Sequence, residues 1–254
     1  RRRTGEAQAE VAKATEEILG IARRVVTGAK AIAHQVTESV NDAENAVAKN
    51  IGRLAERLRH VADLTGKIVE QTKQVLSGNR RIPDRIVSLA DPEARPIKKG
   101  KLKSPTEFGF KVLIQETEDR LVTGYEVYKG NPVDNSLVES TITRHKKIFR
   151  RAPNQVAADR GFAAAKNDEF LAEQGVKQVA IPRPGKISKL RKTYQEQRWF
   201  RGLQRWRAGG EGTISLLKRK YGMRRTPLRG FDGARCTVAG AVWAHNLTRL
   251  ATMD

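Results

Sequence analysis

The sequence predicts an α/β protein in two parts: an all-α helical hairpin, then a mixed sheet flanked by helices. Three observations carry this expectation. Apolar residues first recur at helical spacing, with no proline before Pro83. Beyond a proline-punctuated stretch the apolar pattern changes period from helical to alternating. Segments then follow in the order hairpin, helix, strand, helix, strand, helices, which a sheet with helical cover satisfies. At 254 residues with 39% apolar side chains, the chain has the length and material for a buried core.

Residues 1–78 read as two helices. Ile18, Ala22, Val25, Ala29, Ile32, Val36 and Val40 follow the helical period, as do Leu54, Leu58, Val61, Leu64, Ile68 and Val75. A break between Asn41 and Gly52 folds them back as a hairpin, a packing or spacer module without chemistry of its own. Ser77-Gly78-Asn79 ends it, and a loop from Pro83 to Pro105 makes the junction. Within residues 79–254, stretches 108–115 and 121–128 read as strands, with 116–120 as the polar turn between them. Residues 130–135 form a loop from which Asp134 or Asn135 caps a helix running to Phe149. A short strand, 155–158, ends on Asp159. A helix over 163–174 follows, then a strand over 178–181 that Pro182 and Pro184 stop. Helices over 188–207, 210–221 and 233–250 complete the chain.

The 49 Lys and Arg residues outnumber 28 Asp and Glu, for a net charge of +21 and a pI near 10.5. Residues 1–78 contribute +3 and residues 79–254 contribute +18. Residues 186–229 hold 14 cations against only Glu196 and Glu211, interleaved with Trp199, Phe200, Trp206 and Tyr221. A short basic run is a solvated face. This density is what a polyanion rewards, through phosphate neutralisation and counterion release. A lone cysteine, Cys236, excludes internal disulfides and cysteine-rich zinc sites and fits a reducing compartment. No run approaches the ~20 apolar residues of a membrane span, and no signal-peptide pattern follows Arg1. A start on Arg marks the chain as an expected piece of a longer protein.

The four histidines, His34, His60, His145 and His245, lack metal-site spacing. Neither a nucleophile elbow nor a phosphate-binding P-loop is present. Carboxylates remain, and they suit hard cations such as Mg²⁺ or Mn²⁺. Asp159 follows an apolar strand and precedes Gly161, a place at a sheet edge where ligands gather. It fits equally as a helix N-cap. Arg207, Glu211 and Lys218, offset by four and seven, share one helical face. Gly209, Gly210 and Gly212 each cost a helix ~1 kcal/mol relative to Ala, which points to close approach by another surface or by phosphate. The plainer reading of Arg207 and Glu211 is an exposed ion pair worth ~0.3–0.5 kcal/mol.

Arg207-x-x-x-Glu211, then six residues and Lys218, resembles the C-terminal signature of bacterial insertion-sequence transposases of the DDE superfamily. Gln204 stands where that signature has Tyr. Ala158-Asp159-Arg160-Gly161-Phe162 is similar to the family's second-Asp motif. Asp91-Pro92-Glu93-Ala94-Arg95-Pro96-Ile97, Gly130-Asn131-Pro132-x-Asp134, Val179-Ala180-Ile181-Pro182-Arg183 and Ala244-His245-Asn246-Leu247 add to the likeness. It covers about residues 80–250, and residues 1–78 resemble the family's helical insertion only loosely. The resemblance implies a ribonuclease-H-like catalytic domain over residues 79–254. It implies metal-dependent cleavage and transfer of double-stranded DNA at transposon ends and target, by a homodimer in the synaptic complex, within the bacterial cytoplasm and nucleoid. It makes Asp159 and Glu211 catalytic ligands of Mg²⁺ (or Mn²⁺), and Arg207 and Lys218 contacts to DNA phosphates or residues that orient Glu211. Lys98, Lys99, Lys101, Lys103, Lys186, Lys189, Arg191 and Lys192 would extend the DNA track. The family's first catalytic Asp precedes the helical insertion on the first strand. It is therefore expected upstream of Arg1, with Asp91 as the internal substitute. The alternative is a non-catalytic DNA-binding remnant of a decayed transposase. A sequence-specific repressor is disfavoured, because no helix-turn-helix precedes the basic region.

Overall fold

The computed structural model describes residues 5–40, 46–79, 81–98 and 106–253. The chain divides into two compact units, residues 1–96 and 97–254.

In the first unit, α1 (Gly5–Val40) and α2 (Ala46–Leu76) pack along their lengths. Gly52 lies against Val40, Gly66 against Val26, and Lys30 pairs with Asp63 at 2.6 Å, so the helices run antiparallel. Their seam is built from small side chains. Ala33 on α1 is buried, and so are Ala48, Ala55 and Ala62 at seven-residue intervals on α2, a repeat that lets two helices approach closely. Gly52 belongs to α2, so the break is narrower than 41–52; residues 41–45 lie outside the described residues. Gly78 ends the hairpin with a left-handed φ of 96°, while the Asn79 N–H donates to the Gln74 carbonyl.

The remaining elements are β1 (Arg95–Lys98), β2 (Thr106–Gly109), β3 (Lys111–Glu116), β4 (Val122–Tyr128), α3 (Val138–Phe149), β5 (Gln155–Ala157), α4 (Ala165–Glu173), β6 (Gln178–Ala180), α5 (Lys189–Glu196), α6 (Arg198–Arg219) and α7 (Gly230–Leu250). Among the described residues the strands form three two-stranded sheets, β1 with β2, β3 with β4 and β5 with β6. β3 and β4 are antiparallel, with Val112 opposite Val127 and a bulge after Gln115. β5 and β6 are parallel, with Val156 opposite Val179. Among the described residues these small sheets do not join into the expected single mixed sheet. No described strand bonds both to the β3–β4 hairpin and to the β5–β6 pair.

The local differences have identifiable causes. The stretch 108–115 splits at Gly109, whose φ of 149° breaks the strand. α3 takes its N-cap from Leu137 without a side-chain bond, because Asp134 is turned to Lys111 instead, at 2.5 Å. α6 runs without interruption through Gly209, Gly210 and Gly212, and the break expected near 208–210 falls at Gln197. Packing decides this. Phe200, Thr213 and Leu217 of α6 are all buried, and such burial offsets the propensity lost to glycine.

Two apolar clusters flank α6 in the second unit. One joins Val122 and Val127 of β4 to Leu217 and to Ala234, Val238 and Val242 of α7. The other gathers Val138 and Ile142 of α3, Leu171 of α4, and Val179 and Ile181 around β6. No helix among the described residues is long and apolar enough to cross a membrane.

Candidate active site

Asp159 lies two residues beyond β5, with extended backbone, and opens a 3₁₀ turn over Arg160–Phe162. The turn is clamped from two sides. Buried Asn167 donates to the carbonyls of Asn135 (2.8 Å) and Phe162 (2.9 Å), tying two loops to α4. The Asp134 carboxylate approaches Gly161 so closely that a Cβ there would sit 2.6 Å from its oxygen. Glycine is what this approach requires. Asp159 makes no capping hydrogen bond, and its side chain is 54% exposed. The N-cap role is not what this carboxylate performs.

Gln204 fixes α6 across the same strand ends. Its amide donates to the Ala158 carbonyl at 3.2 Å and also to the Ala180 carbonyl. One turn later Arg207, only 24% exposed, forms an ion pair with Asp159. The same guanidinium nitrogen stands 4.0 Å from Glu211 Oε1, and the Glu211 side chain is 77% exposed. Asp159 and Glu211 thus meet around one cation. Because α6 is continuous, Lys218 keeps the same face; it lines an open basic depression with Gly222, Arg224 and Arg225.

The glycines of α6 divide by role. Gly209 and Gly210 face the tip of the β3–β4 hairpin, where a Cβ would run into the Arg120 guanidinium and the Glu116 carboxylate. Arg120 donates to Glu116 (2.5 Å) and to the Trp206 carbonyl (2.6 Å), and its guanidinium lies 4.7 Å from the Trp206 ring centre. The close approach predicted for these two glycines is therefore to protein. Gly212 has no neighbour within 4 Å.

α7 holds the hairpin from the other side. Asn246 accepts from the Val122 N–H (2.9 Å) and donates to the Val122 carbonyl (2.8 Å). His245, 2% exposed, sits 2.9 Å from the Arg120 carbonyl. Gln204, Arg120, Glu116 and Asn246 were not legible as site supports. Gln204 and Asn246 fall in the family-like segments, and Glu116 and Arg120 in the polar turn, but nothing in the sequence says which groups they bond.

The other candidates are scattered. Asp91 belongs to the first unit, on a turn closed by the Ala94 N–H on the Asp91 carbonyl, and residues 86–90 form no strand. Lys98 ends β1, and Lys99, Lys101 and Lys103 lie outside the described residues. Lys186, Lys189 and Lys192 are exposed. Arg191 is engaged internally, 3.2 Å from Asp168 and 2.9 Å from the Ile181 carbonyl.

Asp159 and Glu211 offer oxygen donors only, the set that Mg²⁺ and Mn²⁺ prefer. The set fits those ions in kind and is incomplete in number. Among the described residues no group of three or more His, Cys, Asp or Glu side chains could hold a metal.

Fold and site define the class: an α/β domain that pairs two carboxylates at a strand end beside a basic helix. Residues 79–247 match the family described as the transposase DDE domain, and the chain belongs to that family. Transposases act on DNA, and those of the DDE type generally use a divalent metal. No curated protein and no solved structure matches the chain.

Proposed function

We propose that residues 79–254 are the catalytic part of a DNA transposase that cleaves and transfers DNA strands with Mg²⁺ or Mn²⁺, and that residues 1–78 are a helical insertion in it. The meeting of Asp159 and Glu211 on Arg207 carries this reading, in a chain of the DDE family. Asp159 and Glu211 would hold the metal, which when bound activates the attacking hydroxyl and stabilises the leaving oxygen. Gln204 keeps α6 at the strand ends and so sets how near Glu211 comes to Asp159. Arg207 neutralises two carboxylates that would otherwise repel, and it shares one oxygen of Asp159 with any incoming cation. Lys218, Arg224 and Arg225 would meet DNA phosphates, positioning the duplex without reading its sequence. A strand placed between the β3–β4 hairpin and the β5–β6 pair would complete a ribonuclease-H-like sheet and bring the third carboxylate.

The incomplete carboxylate set favours one second reading, a DNA-binding remnant without cleavage. Asp159→Asn and Glu211→Gln test both. Each variant keeps side-chain shape and removes a ligating charge. Under the first reading each abolishes Mg²⁺-dependent nicking while duplex binding stays near that of the unaltered protein. A variant that still nicks removes its residue from the site. Both variants are made in the full-length protein, with the strand and carboxylate that complete the sheet. An unaltered full-length protein that binds DNA and never nicks it in Mg²⁺ or Mn²⁺ establishes the remnant.

A further inference from the structure

The hairpin carries an aliphatic face that stays exposed among the described residues. On α1, Val11, Ile18, Val25 and Ile32 recur every seven residues, with Ile21 beside them. On α2, Val47, Leu54 and Val61 repeat that spacing, with Ile51 and Leu58 between. All ten are exposed, from 38% at Leu58 to 65% at Val47. At 3.6 residues per turn, each series sits one residue, a little over a quarter of a turn, from its own helix's buried seam. In an antiparallel pair the two offsets fall on the same side. The Lys30–Asp63 ion pair lies on the opposite side. The hairpin therefore has one polar face and one aliphatic face.

Area and period say what covers it. Ten half-exposed aliphatic side chains present on the order of 800 Å² of apolar surface, which is what one partner brings to a standard interface. Isolated patches on monomers are smaller. A seven-residue repeat is read by another helix, whose side chains fit as knobs into its holes; a nucleic acid offers no such apolar period. The hairpin is itself a helix pair with this repeat on one face, so a second copy brings matching area, period and chemistry.

We propose that this face is closed by a second copy of the chain. Gly52 beside Val40 and Gly66 beside Val26 set the α2 run at 47–61 beyond the α1 run at 11–32 along the hairpin, so the stripe passes from one helix to the other. A two-fold axis that follows the stripe lays it on the partner's stripe, with the two hairpins crossing at an angle. This orientation covers the α1 run at 11–32 and the α2 run at 47–61 together. It asks nothing of the carboxylates and stands or falls apart from them.

Sedimentation equilibrium on the nuclease-treated chain tests it, at about 0.5 M salt, where surface charges are screened. The expected mass is twice the 28.3 kDa of one chain. Ile18→Glu with Val25→Glu should return the mass of one chain with unchanged helical circular dichroism. Should that variant unfold, Ile18→Ala with Val25→Ala serves, since Ala favours helix; it should weaken association at least about tenfold, or ~1.4 kcal/mol. A single-chain mass for the unaltered protein up to tens of micromolar overturns the proposal and assigns the face to another partner. So does a dimer indifferent to both variants.

Discussion

Gln204 illustrates what one side chain does that its neighbours in sequence do not announce. Its amide carries two N–H groups, and both are used, on carbonyls of two adjacent parallel strands. The Tyr of the family signature has one hydroxyl proton and could serve only one of them. Gln204→Leu should therefore cost about 1–3 kcal/mol by leaving a carbonyl unpaired, measured by urea unfolding; an unchanged midpoint would remove Gln204 from the support of the strand ends. His145 makes a second residue-scale prediction. Burial first, and the Arg151 charge second, hold its pKa below the usual histidine range. The unfolded chain then binds more protons than the folded one as pH falls below about 6.5, so folding stability decreases there. His145→Gln should flatten the stability profile between pH 7.5 and 5.5. Asp159, Arg207 and Glu211 could be singled out because their motifs are short and contiguous, and the structure brings the three side chains together. Asn246 and Val122, 124 residues apart, were not, since nothing local in either sequence names the other.

At the scale of elements, the helix α6 separates local preference from tertiary packing. Three glycines within four residues argue for a break, and packing over 22 residues overrides them. The hairpin strands and most helix cores were legible from period alone. β5 and β6 have three residues each, too few for a periodic signal, and only flanking prolines and Asp159 marked them. Two substitutions separate the glycine roles. Gly212→Ala should raise stability by about 1 kcal/mol, because the site is open and Ala is the better helix former. If DNA runs along this face, the same change weakens duplex binding, measured beside the melting temperature. Gly233→Ala should do the reverse and cost about 1–3 kcal/mol, since its Cβ would sit 2.8 Å from the Leu228 carbonyl carbon, which is backbone and cannot swing aside.

Across the whole molecule, charge is the property the sequence revealed most fully and the sheet the one it revealed least. The +18 of residues 79–254 is a sum and needs no geometry. Sheet assembly depends on which strands become neighbours, and the described strands pair only two by two. The charge predicts that log K for duplex DNA falls by ~0.9 per phosphate neutralised as log salt rises. Fluorescence anisotropy between about 50 and 200 mM salt measures this. An affinity indifferent to salt would sink the polyanion reading.

The cluster that joins β4 to α7 also has a history in time. Val122 and Val127 leave the ribosome more than a hundred residues before Val238 and Val242, which cover them. At ~5–20 residues per second the apolar side of β4 waits roughly 5–25 s for its lid. Throughout that interval the nascent hairpin presents both sticky side chains and an unpaired strand edge. Slowing translation across residues 130–230 should therefore lower the soluble yield. Speeding it should help, although no contact in the finished protein has changed.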